Sequence, residues 1–168
     1  MRLGGGPAAG PPRPPAPPPL VRGIGVDLAD LRRMSRWRTR FPADVLGKVF
    51  TSGELAEVDS HPHPAVRMGV SVAGKEACGK ALGRGLVGMA WTDIAVRAGP
   101  AGALRLELSG AAAAHAWRAG VRGWTGCWSH LADRALVLVR VIAWNTRRGE
   151  PLWQDMSTTR SSSRRPSS

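Results

Sequence analysis

Glu76 and Lys80 stand one helical turn apart in residues 66–83, VRMGVSVAGKEACGKALG, with Lys75 beside them. A carboxylate and an ammonium on one rigid element can hold a divalent cation and meet a phosphate together. The same spacing also makes an ordinary solvated i,i+4 ion pair, worth about 0.2–0.5 kcal/mol. Fifty residues earlier, Asp27 follows the short apolar run LVRGIGV (20–26). It either stands at the mouth of a strand, where reactive carboxylates often sit, or caps the helix that comes next.

Other chemistries lack the residues they need. The segment GKEACGKA (74–81) nearly matches a phosphate loop, but Ala81 has no hydroxyl for a metal, and helix formers fill the interior. Ser, His and Asp occur without a GxSxG elbow, so no serine hydrolase is indicated. His61 and His63 lie in the proline-broken SHPHP with no third ligand nearby, which makes them loop residues. Cys78 and Cys127 have no CxxC spacing and read as reduced thiols.

These side chains need elements to carry them. Ala73, Ala77, Ala81 and Leu82 form an apolar stripe, so a helix is expected over 65–82 and ends at Gly83. Gly69, Gly74 and Gly79 each cost that helix about 1 kcal/mol relative to alanine, so it requires close packing against a neighbour. Leu31, Met34 and Trp37 recur at helical spacing within DLRRMSRWRTR (30–40), giving an amphipathic helix with an arginine-rich outer face. Two short helices follow at 44–50 and 53–58, the second capped by Thr51 or Ser52. WTDIAV (91–96) and ALRLEL (103–108) make a hairpin, Ser109 caps a helix over 110–119, and 124–129 with 135–143 form a second pair of strands. The last run, ALVLVRVIA, is continuous enough in its apolar character for a central strand. This order predicts an α+β fold, an antiparallel sheet packed on a long central helix.

The 168 residues reduce to one domain once the flanks are removed. Residues 1–20 are rich in Pro, Gly and Ala and 147–168 in Arg and Ser, so both are expected to be solvated and the domain to span 21–146. Neither a signal sequence nor an apolar stretch of bilayer length is present, and a cytoplasmic location is expected. The formal charge is +12; seven arginines fall in the flanks, leaving 17 basic and 10 acidic residues in 21–146. That excess suits an acidic protein, an anionic cofactor or nucleic acid. The tryptophans fall at apolar positions of predicted elements, which favours core packing over base stacking.

Six blocks in order complete the pattern: GIGVDLADLRRM (23–34), VFTSGEL (49–55), AGKEACGKALGRG (73–85), WTDIAV (91–96), GALRLELSG (102–110) and WSHLADRALVLVRVI (128–142). Together they resemble the holo-acyl-carrier-protein synthases, the small 4′-phosphopantetheinyl transferases. The resemblance implies transfer of 4′-phosphopantetheine from coenzyme A to a serine of an apo carrier protein, dependent on Mg²⁺ and releasing adenosine 3′,5′-bisphosphate. It implies that Asp27 and Glu76 hold the metal, that Lys80 meets the phosphates, and that Lys75 anchors the cofactor or is partly structural. His130 would sit near the cofactor phosphates across a subunit boundary of a homotrimer, and Arg33 would meet an acidic carrier. Asp27, Glu76 and a metal-bound water all stay open as the proton acceptor. Departures from the family pattern are Ser71 for an arginine, Leu104 for a proline, Cys127 for a serine, and glycine at 74 and 79; they imply a cost in cofactor affinity rather than in fold. The alternatives are a degenerate coenzyme A-binding homologue and a basic nucleic-acid-binding module without catalysis.

Overall fold

A computed structural model describes residues 20–145. The expected leader and tail therefore lie almost wholly outside the described residues. In chain order the elements are β1 (Leu20–Asp30), α1 (Leu31–Arg40), α2 (Ala43–Leu46), α3 (Ser52–Ser60), α4 (Pro64–Ala81), β2 (Ile94–Ala98), β3 (Ala103–Leu108), α5 (Gly110–Arg118), β4 (Gly123–Leu131) and β5 (Leu136–Asn145). The strands form one antiparallel sheet in the order β1-β5-β4-β3-β2, and α4 packs along one of its faces. The α+β expectation holds.

The alternation of β1 explains how the helix comes so near the sheet. Gly23, Gly25, Asp27 and Ala29 pair with Ala143, Val141, Val139 and Val137, whose side chains are buried. A Cβ at Gly23 or Gly25 would drive into the backbone carbonyls of Ala81 and Ala77. On α4 itself, Gly69 lies against Leu31 and Gly74 against Val96, so the three helical glycines expected to need support do receive it, Gly79 lying against the Gly85 backbone. The predicted stripe of Ala73, Ala77, Ala81 and Leu82 is buried. A smaller core of Met34, Phe50, Val58 and Met68 joins α1, α3 and α4.

Several boundaries differ from expectation. β1 runs through Asp27 to Asp30, and Asp30 caps α1, accepting from the Arg32 N–H at 2.8 Å and the Arg33 N–H at 3.4 Å. Both readings of Asp27 are thereby corrected: it lies within the strand, on the helix-facing side. Residues Trp91–Asp93 form a 3₁₀ turn, so β2 starts only at Ile94. Ser109 occupies the N-cap of α5 without accepting from the helix N–H groups, its hydroxyl donating to the Asp93 carbonyl at 3.4 Å; the Asp93 carboxylate accepts from the Ala111 N–H instead, at 3.2 Å. β5 lies between β1 and β4 as a central strand should, but only one face is sealed, since Leu136, Leu138 and Ile142 on the other are half-buried.

Candidate functional site

The strongest contact between distant chain segments at the expected site joins Asp27 and Lys80. Strand β1 presents Asp27 towards α4, and Lys80, on the last turn of that helix, donates to Asp27 Oδ1 at 2.6 Å and to the Val26 carbonyl at 3.1 Å. Lys80 is 49 % exposed and Asp27 19 % exposed, so the pair faces solvent across a short boundary. Among the described residues no hydrogen bond joins Glu76 to Lys80, which corrects the reading of these two as a simple i,i+4 pair. Asp27 is the better partner because β1 holds it against the helix, where the ammonium reaches carboxylate and carbonyl together.

Glu76 belongs to the same electrostatic unit. Partial burial pushes its carboxyl above the ordinary carboxylate range, the charge of Asp27 pushes the same way, and Lys80 opposes both. Asp27 and Lys80, themselves paired, are thus both near enough to Glu76 to act on its charge. Among the described residues no cluster of three or more His, Cys, Asp or Glu is present. This donor set fits Mg²⁺, a hard cation that is commonly held by one or two carboxylates and completes its shell with waters and phosphate oxygens. It does not fit zinc, which favours nitrogen and sulfur ligands in a tetrahedral set.

Lys75 is placed elsewhere. It is fully buried, and its Nζ donates to the Val49 carbonyl at 2.7 Å, the Trp91 carbonyl at 2.9 Å and Glu54 Oε2 at 2.8 Å. With its three N–H donors spent inside the fold, Lys75 is not available to a cofactor phosphate; the expected cofactor contact is corrected and the structural role stands. Burial holds this ammonium below its ordinary pKa, opposed by Glu54. Ser71 shares that face of α4, one turn earlier, and accepts from Arg67 Nη1 at 2.6 Å. Arg67 in turn binds Glu57 and the Val96 carbonyl. At Ser71, where the family pattern has an arginine, the serine hydroxyl is thus buried within this network.

His130 is exposed on β4 opposite Val137, separated by β5 from the strand that carries Asp27. One chain does not bring it to the carboxylates. Arg33 lies on the exposed face of α1 with its guanidinium carbon 4.7 Å from the Trp37 ring centroid, and Arg32, Arg36, Arg38 and Arg40 are exposed along the same helix. Cys78 is sealed in the core, where burial pushes its thiol up to about 12.

Sequence reasoning passed over Glu54 and Arg67. The T-x-x-E spacing of Thr51 and Glu54 is a capping-box signature, and the box forms: Thr51 Oγ1 accepts from the Glu54 N–H at 3.2 Å, and Glu54 Oε2 accepts from the Thr51 N–H at 2.8 Å. That signal explains Glu54 locally. Nothing local announces Lys75 as its second partner.

The model of the 4′-phosphopantetheinyl transferase superfamily matches residues 23–138. The holo-[acyl-carrier-protein] synthase of Methylobacterium sp. (strain 4-46) is 45 % identical over 96 residues, covering 56 % of this chain and 71 % of that protein. The crystal structure of holo-[acyl-carrier-protein] synthase from Neisseria meningitidis superposes with a TM-score of 0.64 at 26 % identity, covering 74 % of this chain and 98 % of that one. That of the Helicobacter pylori synthase in complex with coenzyme A superposes at 0.59 with 23 % identity, a likeness of fold, covering 71 % and 98 %.

Proposed function

The chain belongs to the 4′-phosphopantetheinyl transferase superfamily, and from that premise we propose that it transfers 4′-phosphopantetheine from coenzyme A to a serine of an apo acyl carrier protein. The Asp27–Lys80 ion pair at the open end of α4, with Glu76 near enough for its carboxyl to feel both charges, is the observation that carries this reading. The relatives' name and the coenzyme A held by the Helicobacter pylori protein support the choice of donor and acceptor.

In this proposal Asp27 and Glu76 hold Mg²⁺, which when bound neutralises the pyrophosphate oxygens and eases cleavage between them. Lys80 supplies positive charge to the phosphate that departs, from a half-exposed position that a cofactor can reach. The carrier serine hydroxyl attacks the phosphorus attached to pantetheine; the bond to the bridging pyrophosphate oxygen breaks, and adenosine 3′,5′-bisphosphate leaves. The hydroxyl proton passes to Asp27, Glu76 or water.

A homotrimer is part of the reading. Ile24, Val26 and Leu28 are 60 %, 47 % and 55 % exposed on the sheet face away from α4, an apolar strip that a neighbouring copy would cover. His130 would then complete a neighbour's cofactor site. The arginines of α1 are the proposed landing surface for an acidic carrier, Arg33 among them. We assign the transferase domain to residues 21–146 and the activity to the cytoplasm; no helix among the described residues is long and apolar enough to cross a membrane.

Chromatography of reactions containing the protein, coenzyme A, Mg²⁺ and each of several apo carriers tests the proposal. Adenosine 3′,5′-bisphosphate should appear only when a carrier and Mg²⁺ are both present. Its absence with every carrier would overturn the transferase reading, with retained coenzyme A binding then marking a degenerate homologue.

A further inference from the structure

Glu54 and Lys75 are both wholly enclosed, and neither touches the open end of α4. The Glu54 carboxylate accepts from the Thr51 N–H at 2.8 Å, the Thr51 hydroxyl at 3.0 Å, Lys75 Nζ at 2.8 Å and, through its other oxygen, the Val96 N–H at 3.0 Å. Lys75 divides its donors among Glu54, Val49 and Trp91. The pair thus ties together the start of α3, the middle of α4, the turn before β2, and β2 itself. On β2, the Val96 N–H is answered by Glu54 and its carbonyl by Arg67, so two side chains occupy backbone groups that a further strand would otherwise take.

Apolar residues of matching volume commonly replace a buried ion pair without loss of stability, so stability alone does not account for charges here. What the charges add is direction. An apolar side chain at position 75 could slide or rotate among its neighbours, whereas an ammonium with three fixed acceptors sets the rotation of α4 about its axis. The next residue is Glu76, about 100° further round the helix. On the opposite side, Gly23 and Gly25 of β1 lie against the carbonyls of Ala81 and Ala77 and fix how Asp27 meets the helix. The direction in which Glu76 points relative to Asp27 is therefore set by the buried pair on one flank and the glycine contact on the other.

We propose that Glu54 and Lys75 are positioning residues of the carboxylate site, aiming Glu76 at Asp27 through the rotation of α4 without touching coenzyme A. This rests on the metal role proposed for Asp27 and Glu76. Residues that orient metal-binding carboxylates commonly alter affinity by about 10–100-fold when replaced, although they never contact the ion.

The test compares wild type, Glu76→Gln, the double variant Glu54→Leu/Lys75→Met, and Lys75→Arg. Free Mn²⁺ is titrated by electron paramagnetic resonance without coenzyme A, thermal unfolding is recorded, and transfer kinetics are measured. The double variant should unfold cooperatively near the wild-type temperature yet bind Mn²⁺ about tenfold or more weaker, with a lower kcat. Lys75→Arg, which keeps the charge but cannot place one nitrogen against the same three acceptors, should also weaken Mn²⁺ binding and covers the case in which the double variant does not fold. Wild-type Mn²⁺ affinity in whichever of these variants is folded would overturn the positioning role while leaving the metal site intact. Failure of wild type to bind Mn²⁺, or undiminished binding by Glu76→Gln, would overturn the metal site and the positioning role with it.

Discussion

Lys75 and Lys80 stand on the same helix and each pairs with a carboxylate from another element, but their surroundings are opposite. The Glu54–Lys75 pair is 0 % exposed at both ends, whereas Lys80 is 49 % exposed against Asp27. In the first pair the donors and acceptors are used up within the fold. The second leaves Glu76 beside it with a raised pKa and an ammonium in reach of solvent. A sealed pair holds elements in one arrangement; an open pair next to a second carboxylate can take a ligand. The same two residue types serve different ends according to which face of α4 carries them.

The largest effects should come from the open face. Glu76→Gln and Asp27→Asn should each abolish transfer while far-ultraviolet circular dichroism and the unfolding temperature stay near wild type; unchanged activity in either would remove that residue from the metal role. Next, the two lysines should separate stability from activity. Lys75→Met leaves the Glu54 carboxylate buried and unpaired, and denaturant unfolding should show a loss of about 3–5 kcal/mol. Lys80→Met should cost less than about 1 kcal/mol, because its pair is solvated, yet reduce transfer strongly. Equal stability losses at the two positions would break the comparison.

A smaller, salt-dependent effect belongs to the carrier. Arg33→Glu should lower kcat/KM several-fold at low ionic strength, and the difference should shrink towards about 0.15 M salt, where screening sets in over about 8 Å. Indifference to Arg33→Glu at low salt would remove α1 from the landing surface. The smallest effect should be the pH response of Glu57. Burial raises its pKa, but hydrogen bonds from Arg97 and Arg67 and their charges outweigh that, so the net shift is downward from 4.5. A lowered folded-state pKa means that the Glu57 contribution is present above pH 4.5 and is lost as pH falls through the folded value. The stability gap between wild type and Glu57→Gln, followed by thermal unfolding, should therefore close below pH 4.5; a gap that widened there would contradict these ion pairs.

Much of this architecture was legible locally. The alanine stripe located α4, turn residues separated β2 from β3, and Thr51 was one of the two expected caps of α3. Errors arose where two local rules competed. Asp27 reads as a possible cap and Asp30 as the first residue of the helix, and only the pairing of β1 with β5 through Asp30 shows that the strand runs on and Asp30 is the cap. The KEA sequence places Lys75 beside Glu76 but does not reveal that it faces the Val49 and Trp91 carbonyls, which are 26 and 16 residues away. Likewise the Asp27–Lys80 bond spans 53 residues and outcompetes the Glu76–Lys80 contact that helical spacing alone would favour. Asp27 and Glu76 could be joined from sequence only through the ordered blocks of the family, since no periodicity relates a strand residue to a helix residue 49 positions later.

Intact-mass spectrometry of an apo acyl carrier protein, incubated with coenzyme A, Mg²⁺ and either wild type or folded Glu76→Gln, tests the central claim most directly. The carrier should gain one phosphopantetheine on its serine with wild type and none with Glu76→Gln. An unmodified carrier with wild type, or an equal gain with both proteins, would contradict the assignment of transfer to the open face of α4.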